Sequence, residues 1–236
     1  MLEVLLLTLL AGASIPAGAA LAMIERIRPD WLEEEFRHSV IAFGGGVLLA
    51  AVALVLVPDG AESLPALVSV ALFLIGGVVF LGIDALIKRS HGAAGQLVAM
   101  LADFIPEAIA MGAVFAGDPS RARLLALLIA LQNLPEGFNA FREVRSSSSI
   151  PPMRLLAMMA LLAALGPAAG ITGHLLLNDH EAVVGGIMLV AAGGILFLTF
   201  EDIAPQAELE NRIAPPFGAV LGFAAGLAGH LLIGAS

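Results

Sequence analysis

Eight long apolar segments dominate the sequence, and only short polar connections separate them. A helix needs about 20 mostly apolar residues to cross the hydrocarbon core of a bilayer, and each segment approaches or exceeds that length. The segments span residues 3–24, 38–57, 64–87, 94–116, 121–143, 152–177, 181–203 and 213–234. The sequence therefore predicts an all-α polytopic membrane protein, with a single transmembrane domain over residues 1–236.

The composition excludes several other classes of protein. Charged residues make up 13% of the chain, whereas a soluble domain carries about 25%. The chain has no cysteine, so it has neither disulfides nor thiolate metal sites. Its formal net charge of −9 argues against a nucleic-acid partner. No hydrolase or phosphate-binding motif is found, so we expect no enzyme activity, no catalytic residue and no cofactor.

The basic residues predict the topology. Nine of the 11 lysine and arginine residues fall in or beside the connections between helices 1 and 2, 3 and 4, 5 and 6, and 7 and 8. The positive-inside rule places these connections in the cytoplasm and both termini outside the cell (inner) membrane. The first segment has features of a signal peptide, but Glu3 stands where a basic residue is usual, so we expect a retained helix.

Two glutamates lie near the middle of predicted helices 4 and 5. Glu107 follows a proline in DFIPEA, and Glu136 follows a proline in QNLPEG. A charged side chain at the centre of a membrane helix costs about 3 kcal/mol or more. Protonation, water or a bound cation must offset that cost. Each proline also frees a helical carbonyl, an arrangement tolerated where the helix is buried in protein or lines a cavity.

The spacing of polar residues selects one face of each helix. Asp103 and Glu107 are four residues apart, as are Gln132 and Glu136, so each pair shares a helix face. Asn133 lies to one side of that face. These oxygen donors predict a site for a divalent cation between helices 4 and 5. The alternative is that the prolines and small polar residues serve as kinks and packing contacts, which is the more usual role for Asn139.

Three further residues are candidates for a cytoplasmic exit from this site. Glu201 and Asp202 end predicted helix 7, and His91 lies in the KRSHGAAG connection after helix 3. The alternative for the two acids is that they are charges at the membrane interface. Asp84, near the cytoplasmic end of helix 3, is expected to reach the interface.

The QNLPEG motif resembles the helix 5 signature of the ZIP family of divalent-metal transporters, and FEDIAPQAE resembles that family's helix 7 stretch. The resemblance implies inverted repeats around helices 4 and 5, a metal site between them and, in many members, a homodimer. Residues on matching metal-ligand positions are Glu107, Gln132, Asn133 and Glu136.

The chain departs from the family pattern at several positions. Asp103 stands where the family usually has histidine, Phe104 where it has asparagine, and Gly166 where helix 6 commonly supplies a glutamate. We therefore expect one metal site rather than two. The remaining donors are all oxygens, which suit manganese and tolerate ferrous iron, so we expect less selectivity for zinc than in the family.

The leading hypothesis is a divalent transition-metal transporter that imports zinc, manganese, iron or a similar ion. A cation exchanger of the sodium/calcium type is one alternative, although its motifs would lie in distant halves of the chain. An intramembrane metal-dependent hydrolase and a metal-binding membrane protein that does not transport are two others.

Overall fold

The computed structural model describes residues 1–24, 30–90, 95–208 and 213–233. Within these ranges helices are the only regular secondary structure, and eight of them are long and apolar enough to cross a membrane. The predicted all-α polytopic membrane protein is confirmed. The unbroken helices are α1 (Leu2–Ile24), α3 (Ala66–Ser90), α4 (Gly95–Val114), α5 (Pro119–Ser147) and α8 (Ala214–Ile233). Helices built of successive pieces are α2 (Asp30–Ala51, Val52–Leu56, Val57–Glu62), α6 (Pro152–Ala163, Leu165–Leu176) and α7 (Glu181–Leu198, Thr199–Ile203, Ala204–Ala207).

The largest error in the predicted bounds concerns α2. The sequence indicates a connection up to residue 37, but the helix begins at Asp30. Residues 33–37 read EEEFR, and glutamate and arginine are good helix formers that need no burial. The helix therefore extends beyond the apolar segment, which hydropathy alone could not indicate.

Two of the pieced helices contain a widened, π-helical turn just before a proline. In α2 the segment Val52–Leu56 precedes Pro58, and in α7 the segment Thr199–Ile203 precedes Pro205. A proline has no N–H to donate and crowds the carbonyl four residues back, and a wider turn accommodates both effects. By contrast, α4 and α5 run unbroken past Pro106 and Pro135.

The helices pack in a pattern with internal symmetry. The most extensive contacts join α1 to α5, α4 to α6, α2 to α8, and α3 to α7. These pairs are related by an exchange of α1 with α6, α2 with α7, α3 with α8 and α4 with α5. Under this exchange the α1–α5 pair becomes the α6–α4 pair, and the α2–α8 pair becomes the α7–α3 pair. The exchanged helices cross the bundle in opposite directions, so the packing has the form of an inverted repeat.

Each of the four main pairs is held by a reciprocal glycine contact. A methyl group added to Gly18 of α1 would overlap the carbonyl oxygen of Leu134, and one added to Gly137 of α5 would overlap that of Ile15. Small residues let two membrane helices approach until their backbones touch. The equivalent glycines are Gly112 and Gly173 for α4 and α6, Gly46 and Gly222 for α2 and α8, and Gly76 and Gly193 for α3 and α7.

Helices α2, α4, α5 and α7 form the centre of the bundle. More than half of the residues in the apolar window of each are buried, whereas α3 and α8 are the least buried of the eight. Large apolar side chains such as Leu67 and Leu74 are exposed on the outside, as expected for contact with lipid. The central helices carry the residues predicted to bind a cation.

Candidate functional site

The structure brings two predicted ligands of α4 and α5 into direct contact. The side-chain nitrogen Nε2 of Gln132 donates a hydrogen bond of 2.7 Å to Oε2 of Glu107. Glu107 is 1% exposed and Gln132 is fully buried. The two proline–glutamate (PE) motifs, DFIPEA of α4 and QNLPEG of α5, therefore meet across the interface between their helices, as their similar depths predicted. The oxygen of the same amide, Oε1 of Gln132, has no hydrogen-bond partner among the described residues.

Asn133 contacts a different helix. Its Nδ2 donates a 2.9 Å hydrogen bond to the carbonyl oxygen of Ala11 in α1. The side chain is fully buried, and its Oδ1 has no partner in the described part of the chain. The sequence placed Asn133 to one side of the ligand face, and α1 is the helix that lies on that side.

Glu136 and Asp103 line one cavity at the centre of the bundle. Both carboxylate oxygens of Glu136 are buried and lack a hydrogen-bond partner within the described ranges. Asp103 is 4% exposed, and its Oδ1 accepts a 2.9 Å hydrogen bond from the backbone N–H of Phe104. The cavity is bounded by α2, α4, α5 and α7 and extends to Gln206, close to the end of α7.

The two glutamates and Asp103 form a group of acidic side chains. The carboxyl group of Glu136 is close enough to those of Asp103 and Glu107 to interact with them electrostatically. No lysine, arginine or histidine of the described ranges forms an ion pair with any of the three. Buried carboxylates without a basic partner are costly, so the group favours a cation or protons as compensation.

The carboxylates alone do not enclose a metal ion. Among the described residues, no three histidine, aspartate or glutamate side chains lie close enough together to hold one. A cation bound in this arrangement would therefore need neutral oxygens, from the amides or from water, to complete its coordination.

The structure separates Glu201 from Asp202, two of the three residues predicted for a cytoplasmic exit. Asp202 lines the cavity together with Asp103 and Glu136. Glu201 forms an ion pair with Lys88 of α3, which also pairs with Asp84 at 2.9 Å. His91 lies outside the described residues. Of the two exit candidates that the structure describes, Asp202 therefore shares a cavity with Asp103 and Glu136, and Glu201 does not line it.

Two further residues close to Asp202, Gln206 and Glu143, were not predicted as part of the site. Gln206 accepts a 2.9 Å hydrogen bond at Oε1 from Nδ2 of Asn139, and both line the cavity. Glu143 of α5 is close enough to Asp202 to interact with it electrostatically. The signal that could have identified Gln206 is its spacing of four residues from Asp202, which gives the two side chains a shared helix face.

A second cavity lies at the opposite end of the bundle. Its charged lining includes Arg121, which pairs with Glu62 at 3.2 Å, with Asp118 at 3.2 Å and with Asp59 at 3.6 Å. Glu181 lines the same cavity. This end is the one that the basic-residue pattern predicts to face outside, and its cavity has more carboxylates than basic groups.

Comparison of the sequence with models of protein families and with curated proteins finds no match. The resemblance to the ZIP family therefore rests on the sequence motifs QNLPEG and FEDIAPQAE.

Proposed function

We propose that the chain transports a divalent transition-metal cation, such as zinc, manganese or ferrous iron, through a site between α4 and α5. The observation that supports this most is Glu136, whose two carboxylate oxygens are buried, lack a hydrogen-bond partner among the described residues and face a cavity. On the same helix, Oε1 of Gln132 and Oδ1 of Asn133 also lack a partner within the described ranges. A divalent cation would supply the positive charge that these groups lack, and their oxygens would bind it as ligands.

We propose that one cation is bound at a time. Phe104, which stands where the family usually has asparagine, is fully buried and packs against Gly166. An aromatic ring and a glycine therefore occupy the positions from which α4 and α6 would supply donors to a second metal ion. A purified sample saturated with manganese should contain one ion per chain, and two tightly bound ions would contradict the proposal.

We propose import across the cell (inner) membrane, with both termini outside. The distribution of lysine and arginine among the connections supports this orientation. The cavity that holds Glu136 lies towards the end of the bundle at which Lys88 pairs with Glu201 and Arg142 pairs with Glu33. In this orientation the cavity faces the cytoplasm, and Asp202 lies on the path by which the cation leaves. A homodimer is proposed on the resemblance alone.

The test is uptake of radiolabelled metal by proteoliposomes that contain the purified chain. Glu136→Gln removes the charge and keeps the shape, so it should reduce uptake at least about tenfold, as expected when a buried charged partner of the ligand is lost. Glu34→Gln removes a carboxylate from an exposed position of α2 and should leave uptake unchanged. Competition among zinc, manganese, ferrous iron and cadmium would identify the preferred ion.

Other outcomes would favour the alternatives. Uptake that requires a sodium gradient would favour an exchanger of the sodium/calcium type. Binding without uptake would favour a metal-binding protein that does not transport. Equal uptake by wild type and Glu136→Gln would contradict the proposed site.

A further inference from the structure

A groove between two of the main helix pairs lies outside the candidate metal site. It is bounded by the α1–α5 pair and the α2–α8 pair and has a volume of about 650 Å³. Among the described residues, Pro135 is the only one that lines both this groove and the central cavity. Sites that bind small molecules have volumes of about 300–1,000 Å³, so the groove is large enough for a ligand.

The groove has an apolar lining within the membrane-spanning part of the bundle. Its lining residues all belong to helices that can cross a bilayer, and among those described Ser39 is the one polar residue. The hydroxyl of Ser39 donates a 2.7 Å hydrogen bond to the backbone oxygen of Glu35, so its hydrogen is not available to an occupant. Four of the chain's 12 phenylalanines line the groove: Phe36, Phe43, Phe138 and Phe217. The occupant must therefore be apolar along the groove, because a polar group buried there would lack a partner.

One end of the groove carries a pair of opposite charges. The guanidinium carbon of Arg142 lies 5.8 Å from the centroid of the Phe138 ring, and Phe138 packs edge-to-face against Phe36 with their centroids 6.2 Å apart. Arg142 also forms an ion pair with Glu33 of α2. A positive and a negative side chain thus lie next to each other beside the aromatic end of the groove, near the point where α2 begins and α5 ends.

We infer that the groove binds a phospholipid, with an acyl chain along the apolar lining and a zwitterionic headgroup at Arg142 and Glu33. The phosphate would accept hydrogen bonds from Arg142, and an ammonium group would donate to Glu33, so each charge of the headgroup meets its opposite. The acyl chain would replace the packing that the two helix pairs lack between them. This inference goes beyond the proposed function and does not depend on whether the chain transports a metal.

The charges at this end of the groove select among headgroups. Glu33, Glu34 and Glu35 face a local balance of basic charge from only Arg37 and Arg142 in the described part of this end of α2 and α5. An anionic headgroup such as phosphatidylglycerol would add to the excess of negative charge. The ammonium of phosphatidylethanolamine can donate hydrogen bonds to a carboxylate, whereas the trimethylammonium of phosphatidylcholine cannot. We therefore expect affinity to fall from phosphatidylethanolamine to phosphatidylcholine to phosphatidylglycerol.

The first experiment fills the groove. Val40 lines it, so Val40→Trp would place an indole ring in the space of the acyl chain. Val70→Trp makes the same substitution at an exposed position of α3 that does not line the groove. The full-length chain is purified in detergent, stripped of lipid and titrated with phosphatidylethanolamine, and native mass spectrometry counts the lipids bound per chain. The wild type and Val70→Trp should bind one lipid with the same affinity, and Val40→Trp should bind it at least about tenfold more weakly, because apolar area is lost to the lipid.

The second experiment tests the headgroup. Glu33→Gln removes the acceptor of the ammonium, so the ratio of phosphatidylethanolamine to phosphatidylglycerol affinity should fall at least about fivefold. Arg142→Gln removes the donor to the phosphate and should weaken binding of all three lipids by a similar factor. Arg154→Gln changes an exposed arginine at the start of α6 that does not line the groove and should leave the affinities unchanged. A purely structural defect would lower every affinity equally and would not change the ratio in Glu33→Gln.

Thermal unfolding and monodispersity are checked for every variant. If Val40→Trp does not fold, Ala214→Phe fills the groove from α8. Equal binding by Val40→Trp and Val70→Trp, or no preference among the three headgroups in the wild type, would overturn the inference. A dimer of the chain that Val40→Trp abolishes would also overturn it, because a second copy would then occupy the groove.

Discussion

Asn133 of α5 and Ala11 of α1 are joined by a 2.9 Å hydrogen bond between the Nδ2 atom of the asparagine and the carbonyl oxygen of the alanine. Both residues are fully buried. The bond fixes the rotation of α5 relative to α1 and leaves only the oxygen of the amide free for a ligand. An isosteric aspartate at position 133 would place a carboxylate oxygen against the carbonyl oxygen, which is a repulsive contact.

Asn133→Asp should therefore lower the free energy of unfolding by about 1–3 kcal/mol, the usual consequence of losing a buried hydrogen bond. Unfolding by denaturant in mixed micelles would measure the change. Asn178→Asp makes the same substitution at an exposed position and should have little effect. Equal stability of the two variants would contradict the role assigned to the Asn133 hydrogen bond.

The glycine contact between α1 and α5 makes a second prediction about stability. A methyl group at position 137 would overlap the carbonyl oxygen of Ile15, so Gly137→Ala must separate the two helices. Overpacking of this kind destabilises by about 1–3 kcal/mol. At Gly82 of α3, no atom of another helix of the described ranges lies within 4 Å of the corresponding methyl position. Gly82→Ala should therefore be neutral or slightly stabilising, and thermal unfolding of both variants would test the contrast.

Arg121 should control the electrostatic potential of the cavity predicted to face outside. Because the chain has no cysteine, Ser63→Cys places a single thiol in the lining of that cavity. Arg121→Gln should increase the rate at which this thiol reacts with a cationic reagent by about threefold or more at low salt, since nearby carboxylates lose their basic partner. An anionic reagent should react more slowly.

Arg123 provides the matched control for this experiment. It pairs with Glu3 of α1 at 2.7 Å, two residues from Arg121 along the same helix, and does not line the cavity. Arg123→Gln should change the rates at Ser63→Cys much less. Equal effects of the two arginines, or effects that persist in high salt, would show that Arg121 has no special influence on the cavity.

The absence of cysteine also allows a direct test of orientation. Ser63 lies in the connection between α2 and α3, and Ser148 follows α5 at the other end of the bundle. In intact cells, a thiol reagent that cannot cross the membrane should label Ser63→Cys and leave Ser148→Cys unmodified until the cells are opened. The reverse labelling pattern would place both termini in the cytoplasm.

The sequence predicted the helices and the meeting of the two PE motifs because both depend on local properties. Apolar length indicates a spanning helix, and the position of Glu107 and Gln132 within their segments fixes their depth. The contact of Asn133 with α1 could not be predicted, because one residue turns the helix by about 100° and the sequence does not say which helix lies there. Likewise, the extension of α2 to Asp30 carries no signal in hydropathy.

The separation of Glu201 from Asp202 has a related cause. Adjacent residues of a helix point about 100° apart, so Glu201 and Asp202 face different neighbours although both lie near the same end of α7. Both lie within the π-helical turn Thr199–Ile203. Asp202 faces the cavity, and Glu201 pairs with Lys88. Sequence reasoning recognised Pro205 in the motif but not the widened turn that precedes it.

The inverted pairing of the helices has a consequence for how the chain enters a membrane. A bundle turned upside down would offer the bilayer nearly the same set of helix pairs, joined by the same close glycine contacts. Helix packing therefore discriminates poorly between the two insertions, and a preference for one of them must come from outside the packed core. The uneven distribution of lysine and arginine among the connections is the feature of this chain that can select one orientation during insertion.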